Sequence, residues 1–157
     1  MLALTLGSAV GPAATDTVIH TIPVDAGPRG VAISGNRAYV TNNSSNTVSI
    51  IDTTTTPPAI IDTISVGRPG TGPWGVAIIG TRAYVANTDG TVSVIDSAAV
   101  PPAVTATIQV GTYPAGVATS GDYAYVTNFG SSTMSVIAIE QAPALAGTPT
   151  VAVVGTP

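Results

Sequence analysis

The chain has 157 residues, of which 45% are hydrophobic and 8% are charged, and its 17 Gly and 13 Pro divide it into short segments. This composition favours one domain of short strands and tight turns over a helical fold. The net charge of −4 and the lack of Lys exclude the basic surface that a nucleic-acid partner needs, and the lack of Cys excludes disulfides and thiolate catalysis.

The N-terminal segment resembles part of a secretory signal. Residues 2–10 are mainly apolar and small residues follow them, but no basic residue precedes them. We predict a truncated signal or a disordered N-terminus over residues 1–17, and an extracytoplasmic protein that is periplasmic, on the cell surface or secreted. The alternative is that this terminus packs on a sheet. No apolar run reaches the roughly 18 residues of a membrane span, so we expect no transmembrane segment.

The rest of the chain, residues 18–157, is predicted to form one all-β repeat domain. A strand-like segment at residues 18–24 opens it. Three copies of one pattern follow, beginning at Gly30, Gly75 and Gly116, at spacings of 45 and then 41 residues. This period is the length of one four-stranded β-propeller blade. We place the three blades at about residues 30–66, 75–110 and 116–155.

Each copy contains signals for four antiparallel strands. The first two strands meet across a Gly and a small polar residue, such as Gly35-Asn36, which suits a type II′ hairpin. Turns rich in Asn, Asp, Ser and Gly join the second strand to the third. The fourth strand follows a Pro-Pro pair at 57–58 and at 101–102. Residues 149–155 are the candidate for the last fourth strand.

The second strand of each copy carries a family signature. Residues 39–42 and 125–128 both read Tyr-Val-Thr-Asn, and residues 84–87 read Tyr-Val-Ala-Asn. These motifs resemble those of YVTN-type β-propeller repeat proteins, whereas the short Gly-polar hairpins are closer to LVIVD-type repeats. The resemblance implies that each unit is a propeller blade. The structural repeat signature then consists of Tyr39, Asn42, Tyr84, Asn87, Tyr125 and Asn128, with the tyrosines predicted to pack between blades.

Three blades are too few to close a ring, because propellers have four to eight. We therefore expect one of three arrangements. The chain is a fragment of a longer propeller, or it assembles with copies of itself, or it ends as an open arc. A homo-oligomer would form through the uncovered faces of the blades, and two chains would make six blades.

The loops that lead into the first strands supply the candidate ligand site. Arg29 and Trp74 occupy the same place in their repeats, near the predicted mouth of the central channel, with Arg68 and Tyr113 as neighbours. A guanidinium and an indole there suit an anionic or planar ligand. The alternative is that Trp74 only plugs the channel or covers a seam between blades.

No cofactor, metal or catalytic set is predicted. Residues 70–75 match G-x-G-x-x-G, but they open a strand instead of the helix that would hold a pyrophosphate. His20 is the single His, and the carboxylates are scattered along the chain. A triad or a cluster of metal ligands is therefore not indicated.

These observations favour a non-catalytic β-propeller repeat module that binds a protein or glycan partner. One alternative is a fragment of a propeller enzyme, lactonase-like or quinoprotein-like, whose catalytic residues lie in blades outside this chain. Another is a structural surface-layer or adhesive module. The fold does not decide among them, because propellers serve enzymes, scaffolds and receptors alike.

Overall fold

The computed structural model describes residues 15–140. Within this range the protein contains eleven β-strands and one short 3-10 helix, Phe129–Ser131. The predicted all-β class is therefore confirmed. The apolar segment at residues 2–10 and the candidate strand at residues 149–155 lie outside the described residues.

The strands form three antiparallel sheets, each built from one sequence repeat and called a blade below. Blade 1 contains β1 (Pro28–Ser34), β2 (Arg37–Asn42), β3 (Thr47–Asp52) and β4 (Ala59–Ser65). Blade 2 contains β5 (Pro73–Ile79), β6 (Arg82–Asn87), β7 (Thr91–Asp96) and β8 (Ala103–Gln109). Blade 3, as far as residue 140, contains β9 (Pro114–Ser120), β10 (Tyr123–Asn128) and β11 (Thr133–Ala138).

Tight turns place the strands of each blade in chain order. Gly35, Gly80 and Gly121 have φ angles of 57°, 57° and 53°. A positive φ is what the first position of a type II′ turn requires, and glycine adopts it without a steric penalty. The fourth strands β4 and β8 start directly after the two Pro-Pro pairs. Proline is tolerated there because, outside the strand, it removes no N–H donor from the ladder.

The hydrophobic core lies in two seams between neighbouring blades. The first seam buries residues of blades 1 and 2, namely Tyr39, Val48, Ile50, Ile64, Val66, Val76, Ala83, Val85 and Ile95. The second buries residues of blades 2 and 3, namely Tyr84, Ala86, Val92, Val94, Ala124 and Val126. Full burial of one Val or Ile side chain contributes about 1.5–3 kcal/mol. These seams are therefore what joins the sheets into one unit.

The predicted strand at residues 18–24 is not present. These residues belong to no strand, and the side chains of Val18 and Ile19 are 85% and 80% exposed. A strand needs a partner edge for its backbone N–H and C=O groups. This segment leads into β1, and the outer edge of that blade is already occupied by β4. The prediction was wrong for the single chain, because the four strands of blade 1 all come from residues 28–65 and this segment pairs with none of them.

The first strands of the three blades lie side by side. β1 contacts β5, and β5 contacts β9. The loops that lead into these strands are therefore gathered at one end of the blades. No helix in residues 15–140 is long and apolar enough to cross a membrane.

Candidate functional site

A repeated backbone contact builds the loop end of every blade. The residue after the second strand donates its N–H to a carbonyl of the loop before the first strand. The pairs are Asn43 to Gly27 at 2.8 Å, Thr88 to Gly72 at 3.2 Å, and Phe129 to Tyr113 at 2.9 Å. Each pair brings two side-chain positions together at the same place on its blade.

A buried asparagine directly precedes the N–H donor of each of these contacts. The amide nitrogens of Asn42, Asn87 and Asn128, one residue before the contact, each donate to a Thr and a Ser hydroxyl of the third strand. The acceptors are Thr47 and Ser49, Thr91 and Ser93, and Thr133 and Ser135, at 2.9–3.1 Å. Since all three asparagines are buried, these bonds satisfy their amide nitrogens and tie the second strand to the third at this end of each blade.

Blade 3 differs from the other blades because both of its paired positions are aromatic. Tyr113 stands where Gly27 and Gly72 stand in the other loops, and Phe129 stands where they have Asn43 and Thr88. Departures from a repeat often mark its binding face, because the repeat itself already satisfies packing.

Tyr113 carries backbone strain. Its φ is 51°, close to the φ of 71° at Gly27 in the first repeat. A tyrosine in the left-handed region costs of order 1–3 kcal/mol, and such residues concentrate at functional sites. With this backbone conformation, Tyr113 places an aromatic ring at the loop end of the blades.

The two rings form an apolar cavity with the start of β5 and the start of β9. Its volume is about 170 Å³, and it is lined by Trp74, Tyr113, Pro114, Ala115 and Phe129. The Trp74, Tyr113 and Phe129 side chains are 40%, 56% and 82% exposed. Cavities for drug-sized ligands measure about 300–1,000 Å³. This one therefore has room for a single ring or branched apolar side chain.

Arg29 adds a positive charge beside the cavity. Its guanidinium carbon lies 4.5 Å from the centroid of the Trp74 ring, which is a cation–π contact. The repeat alignment of Arg29 with Trp74 therefore corresponds to a contact in space. Tyr113 lines the same cavity as Trp74.

Arg68 lies elsewhere. It lines a separate, more polar cavity of about 320 Å³ with Asp89, Ser93, Thr107 and Gln109, among others. The structure thus groups three of the four predicted site residues, and Arg68 is not among those that line the aromatic cavity.

Sequence reasoning missed Phe129. It treated residues 129–132 as a turn, since Gly and Ser dominate there. The usable signal was the comparison between repeats. Asn43 and Thr88 are small and polar at this position, whereas Phe129 is a large apolar residue in an exposed turn.

Within residues 15–140 no group of three or more His, Cys, Asp or Glu side chains is arranged to hold a metal ion. The chemistry of the site in this part of the chain is therefore aromatic and cationic, without a carboxylate among the residues that line it.

The comparisons with known proteins agree with this architecture. A family model described as LVIVD repeat matches residues 28–53 and 113–134, which lie in blades 1 and 3. No curated protein matches the chain.

Solved structures that are similar to the chain include the following two. A functionally unknown protein from Desulfotomaculum acetoxidans DSM 771 is 20% identical, with a TM-score of 0.59 over 76% of this chain and 44% of that chain. The glutaminyl cyclase of Myxococcus xanthus is 12% identical, with a TM-score of 0.50 over 64% of this chain and 43% of that chain. At such identities the likeness shows the fold alone, and the chain spans less than half the length of either protein.

The repeat match, the three antiparallel sheets and the structural neighbours all lead to one architecture. The chain is a β-propeller-like repeat module.

Proposed function

We propose that this chain is a non-catalytic binding module that captures one apolar side chain of a protein partner in the aromatic cavity of blades 2 and 3. The observation that carries the proposal is the pair Tyr113 and Phe129. They place two rings where the other repeats have glycine and small polar residues, and one of them is held in a strained conformation.

The size and chemistry of the cavity favour a protein partner over a glycan. A sugar ring needs several hydrogen-bond partners besides a stacking face, and the side chains that line this cavity offer only the Tyr113 hydroxyl and the Trp74 indole N–H. Aromatic-lined pockets that bury one anchor side chain are typical of binding hot spots. Arg29 beside Trp74 further favours a partner with a carboxylate near the inserted side chain.

The test uses Trp74, which is the single Trp of the chain and gives one indole N–H resonance. N-acetylphenylalaninamide is titrated into the protein, with N-acetylalaninamide as the matched probe. We expect the phenylalanine probe to shift the resonances of Trp74 and Ala115, because its ring fills the cavity. The alanine probe should leave them in place. No shift at Trp74 with the phenylalanine probe would refute the proposal.

Two variants separate binding from packing. Tyr113→Gly should abolish the shift and leave the melting temperature unchanged or higher, because glycine accepts the positive φ without strain. A tyrosine that served only packing would lower the melting temperature when removed. Phe129→Ala should also abolish binding. The control is Tyr123→Ala, an exposed aromatic at the far end of β10, which should bind the probe normally.

Two finer assignments belong to the same proposal. We assign the repeats to the YVTN type with LVIVD-like hairpins, on the Tyr-Val-Thr-Asn motifs of blades 1 and 3. We also place the protein outside the cytoplasm, on the apolar residues 2–10. Fractionation of cells that express the chain from its own gene tests the location, and recovery in the cytoplasm would refute it.

A further inference from the structure

The two outer faces of the blade array repeat the chemistry of the two internal seams. Tyr125, Met134 and Val136 of blade 3 stand at the repeat positions of Tyr39, Val48 and Ile50, which blade 1 buries against blade 2. We call these three residues the donor face. Met134 and Val136 are 58% and 53% exposed, whereas Val48 and Ile50 are fully buried.

The opposite end of the array presents the complementary positions. Val31 and Ile33 of blade 1 stand where blade 2 has Val76 and Ile78, both of which pack into the first seam. We call Val31 and Ile33 the acceptor face. Their side chains are 65% and 67% exposed, which is unusual for β-branched residues aligned on a sheet.

A glycine in blade 3 indicates that its donor face is built to be covered. A Cβ on Gly30 would come within 2.6 Å of the Trp74 carbonyl oxygen of the next blade, and one on Gly75 would collide with the Ala115 carbonyl oxygen. Gly116 holds the same position, but its Cβ would meet only the Thr127 hydroxyl at 3.0 Å. Blade 3 keeps the glycine that a following blade would require.

A hydroxyl group in blade 3 also indicates that its donor face is built to be covered. Thr41 of blade 1 donates to the Trp74 carbonyl of blade 2 at 2.7 Å. Thr127 is its equivalent in blade 3, and it reaches only the Gly116 carbonyl of its own blade at 3.5 Å. In blade 1, the residue aligned with Trp74 is Arg29. A blade 1 packed on this face would therefore offer Thr127 the Arg29 carbonyl.

The outer edge of blade 3 also matches a segment of the chain. As far as residue 140, β11 has no strand on its outer side, where β3 and β7 pair with β4 and β8. Residues 18–24 align with residues 60–66 and 104–110 of the fourth strands, with the same Thr, Ile and Val at three positions. Fourth strands lead directly into the next blade, and residues 18–24 lead into blade 1. This segment therefore belongs to whichever blade precedes blade 1.

From these features we propose that two copies of the chain close a six-blade ring. The donor face of each copy packs on the acceptor face of the other, and residues 18–24 of each copy pair with β11 of the other. One chain carries both halves of the contact, so a two-fold arrangement covers both of the outer faces seen in residues 15–140. This inference does not depend on the aromatic cavity, which lies within one copy.

The oligomeric state is measured by size-exclusion chromatography with light scattering. The wild type should elute at twice the mass of the chain. Val31→Lys and Val136→Lys should each elute as monomers. Both contacts of the ring contain these positions, so either variant would bury a lysine charge in each contact. The control is Val100→Lys, since Val100 is 96% exposed on a loop of the middle blade, and it should remain a dimer. A monomeric wild type, or a dimeric Val136→Lys variant, would overturn the proposal.

Mixing the two variants tests the direction of the contact. The intact donor face of Val31→Lys can still meet the intact acceptor face of Val136→Lys, so an equimolar mixture should form a heterodimer. A contact between two identical faces predicts no such recovery. Circular dichroism of each variant shows whether its strands remain folded. If Val31→Lys or Val136→Lys has lost its strands, the cysteine pair described next tests the contact instead.

A cysteine pair tests the strand exchange. Thr63 and Thr107 lie opposite Ser49 and Ser93 in the sheets, so Thr21 of one copy should lie opposite Ser135 of the other. The chain has no native Cys. Thr21→Cys with Ser135→Cys should form a covalent dimer on oxidation, and Thr21→Cys with Thr105→Cys should not. A disulfide within one chain, or none, would contradict the exchange.

Discussion

At the scale of single residues, some repeat positions carry the same side chain in every blade and others do not. Asn42, Asn87 and Asn128 make the same pair of hydroxyl contacts in all three blades, as expected of a structural position. Tyr113 and Phe129 replace small residues in one blade only. Repetition therefore identifies packing, and the break in repetition identifies the candidate site.

Asp52 makes a contribution to stability that depends on pH and is lost in acid. The Thr54 hydroxyl and then the Thr54 N–H donate to its carboxylate at 2.7 and 2.8 Å. These bonds, with the nearby Arg37 charge, hold the pKa of Asp52 below its ordinary value. A lowered pKa in the folded state means that the stabilisation is complete above the pKa of the unfolded chain, about 3.9, and is lost as the pH falls through the folded value.

We therefore expect Asp52→Asn to be less stable than the wild type at pH 7, with a difference that shrinks as the pH falls below about 4. Urea unfolding across this pH range measures it. Thr54→Val should show a weaker form of the same change, since the hydroxyl is the largest cause of the lowered pKa. A difference that stays constant with pH would show that the carboxylate charge is not involved.

At the scale of strands and turns, most of the fold was predictable. The hairpin glycines and the Pro-Pro pairs are local signals, and the structure has strands where they predict them. Residues 18–24 have the same local signals as β4 and β8 but belong to no strand among the described residues. Local sequence gives the tendency to form a strand, whereas pairing depends on what lies beside it.

The close contact between blades 2 and 3 predicts the effect of a substitution at Gly75. A side chain there would collide with the Ala115 carbonyl of the next blade, and backbone at a seam yields little. We expect Gly75→Ala to lower the free energy of unfolding by roughly 2 kcal/mol, within the range for overpacking. Urea unfolding in dilute solution measures the change. Gly116→Ala is the matched comparison and should cost less in a separate copy, because there its Cβ meets only the Thr127 side chain. Equal losses would show that the seam contact is not the cause.

At the scale of the whole molecule, the chain is an array with two unequal ends. Its internal seams are closed and its outer faces keep the residues of a seam. No residue of the donor face or the acceptor face lines the aromatic cavity, which lies at the loop ends of blades 2 and 3. Assembly and partner binding can therefore occur together.

Assembly predicts that stability depends on concentration. If the folded copies form a ring and the unfolded chains do not, mass action raises the melting temperature as the protein concentration rises. Thermal unfolding followed by circular dichroism over a hundredfold range of concentration should show this rise. Val31→Lys should melt at one temperature throughout the range. A wild-type melting temperature that does not change with concentration would count against the ring.

The sequence by itself determined the all-β class, the three repeats, the hairpins and the absence of disulfides, because these follow from turn chemistry, periodicity and composition within short stretches of chain. Only the tertiary structure decided that Phe129 joins Trp74 and Tyr113 around one cavity, that Arg68 lines another, and that residues 18–24 belong to no strand among the described residues. The physical reason is that a cavity, a seam or a strand pairing exists only between segments, and no segment specifies its neighbours alone.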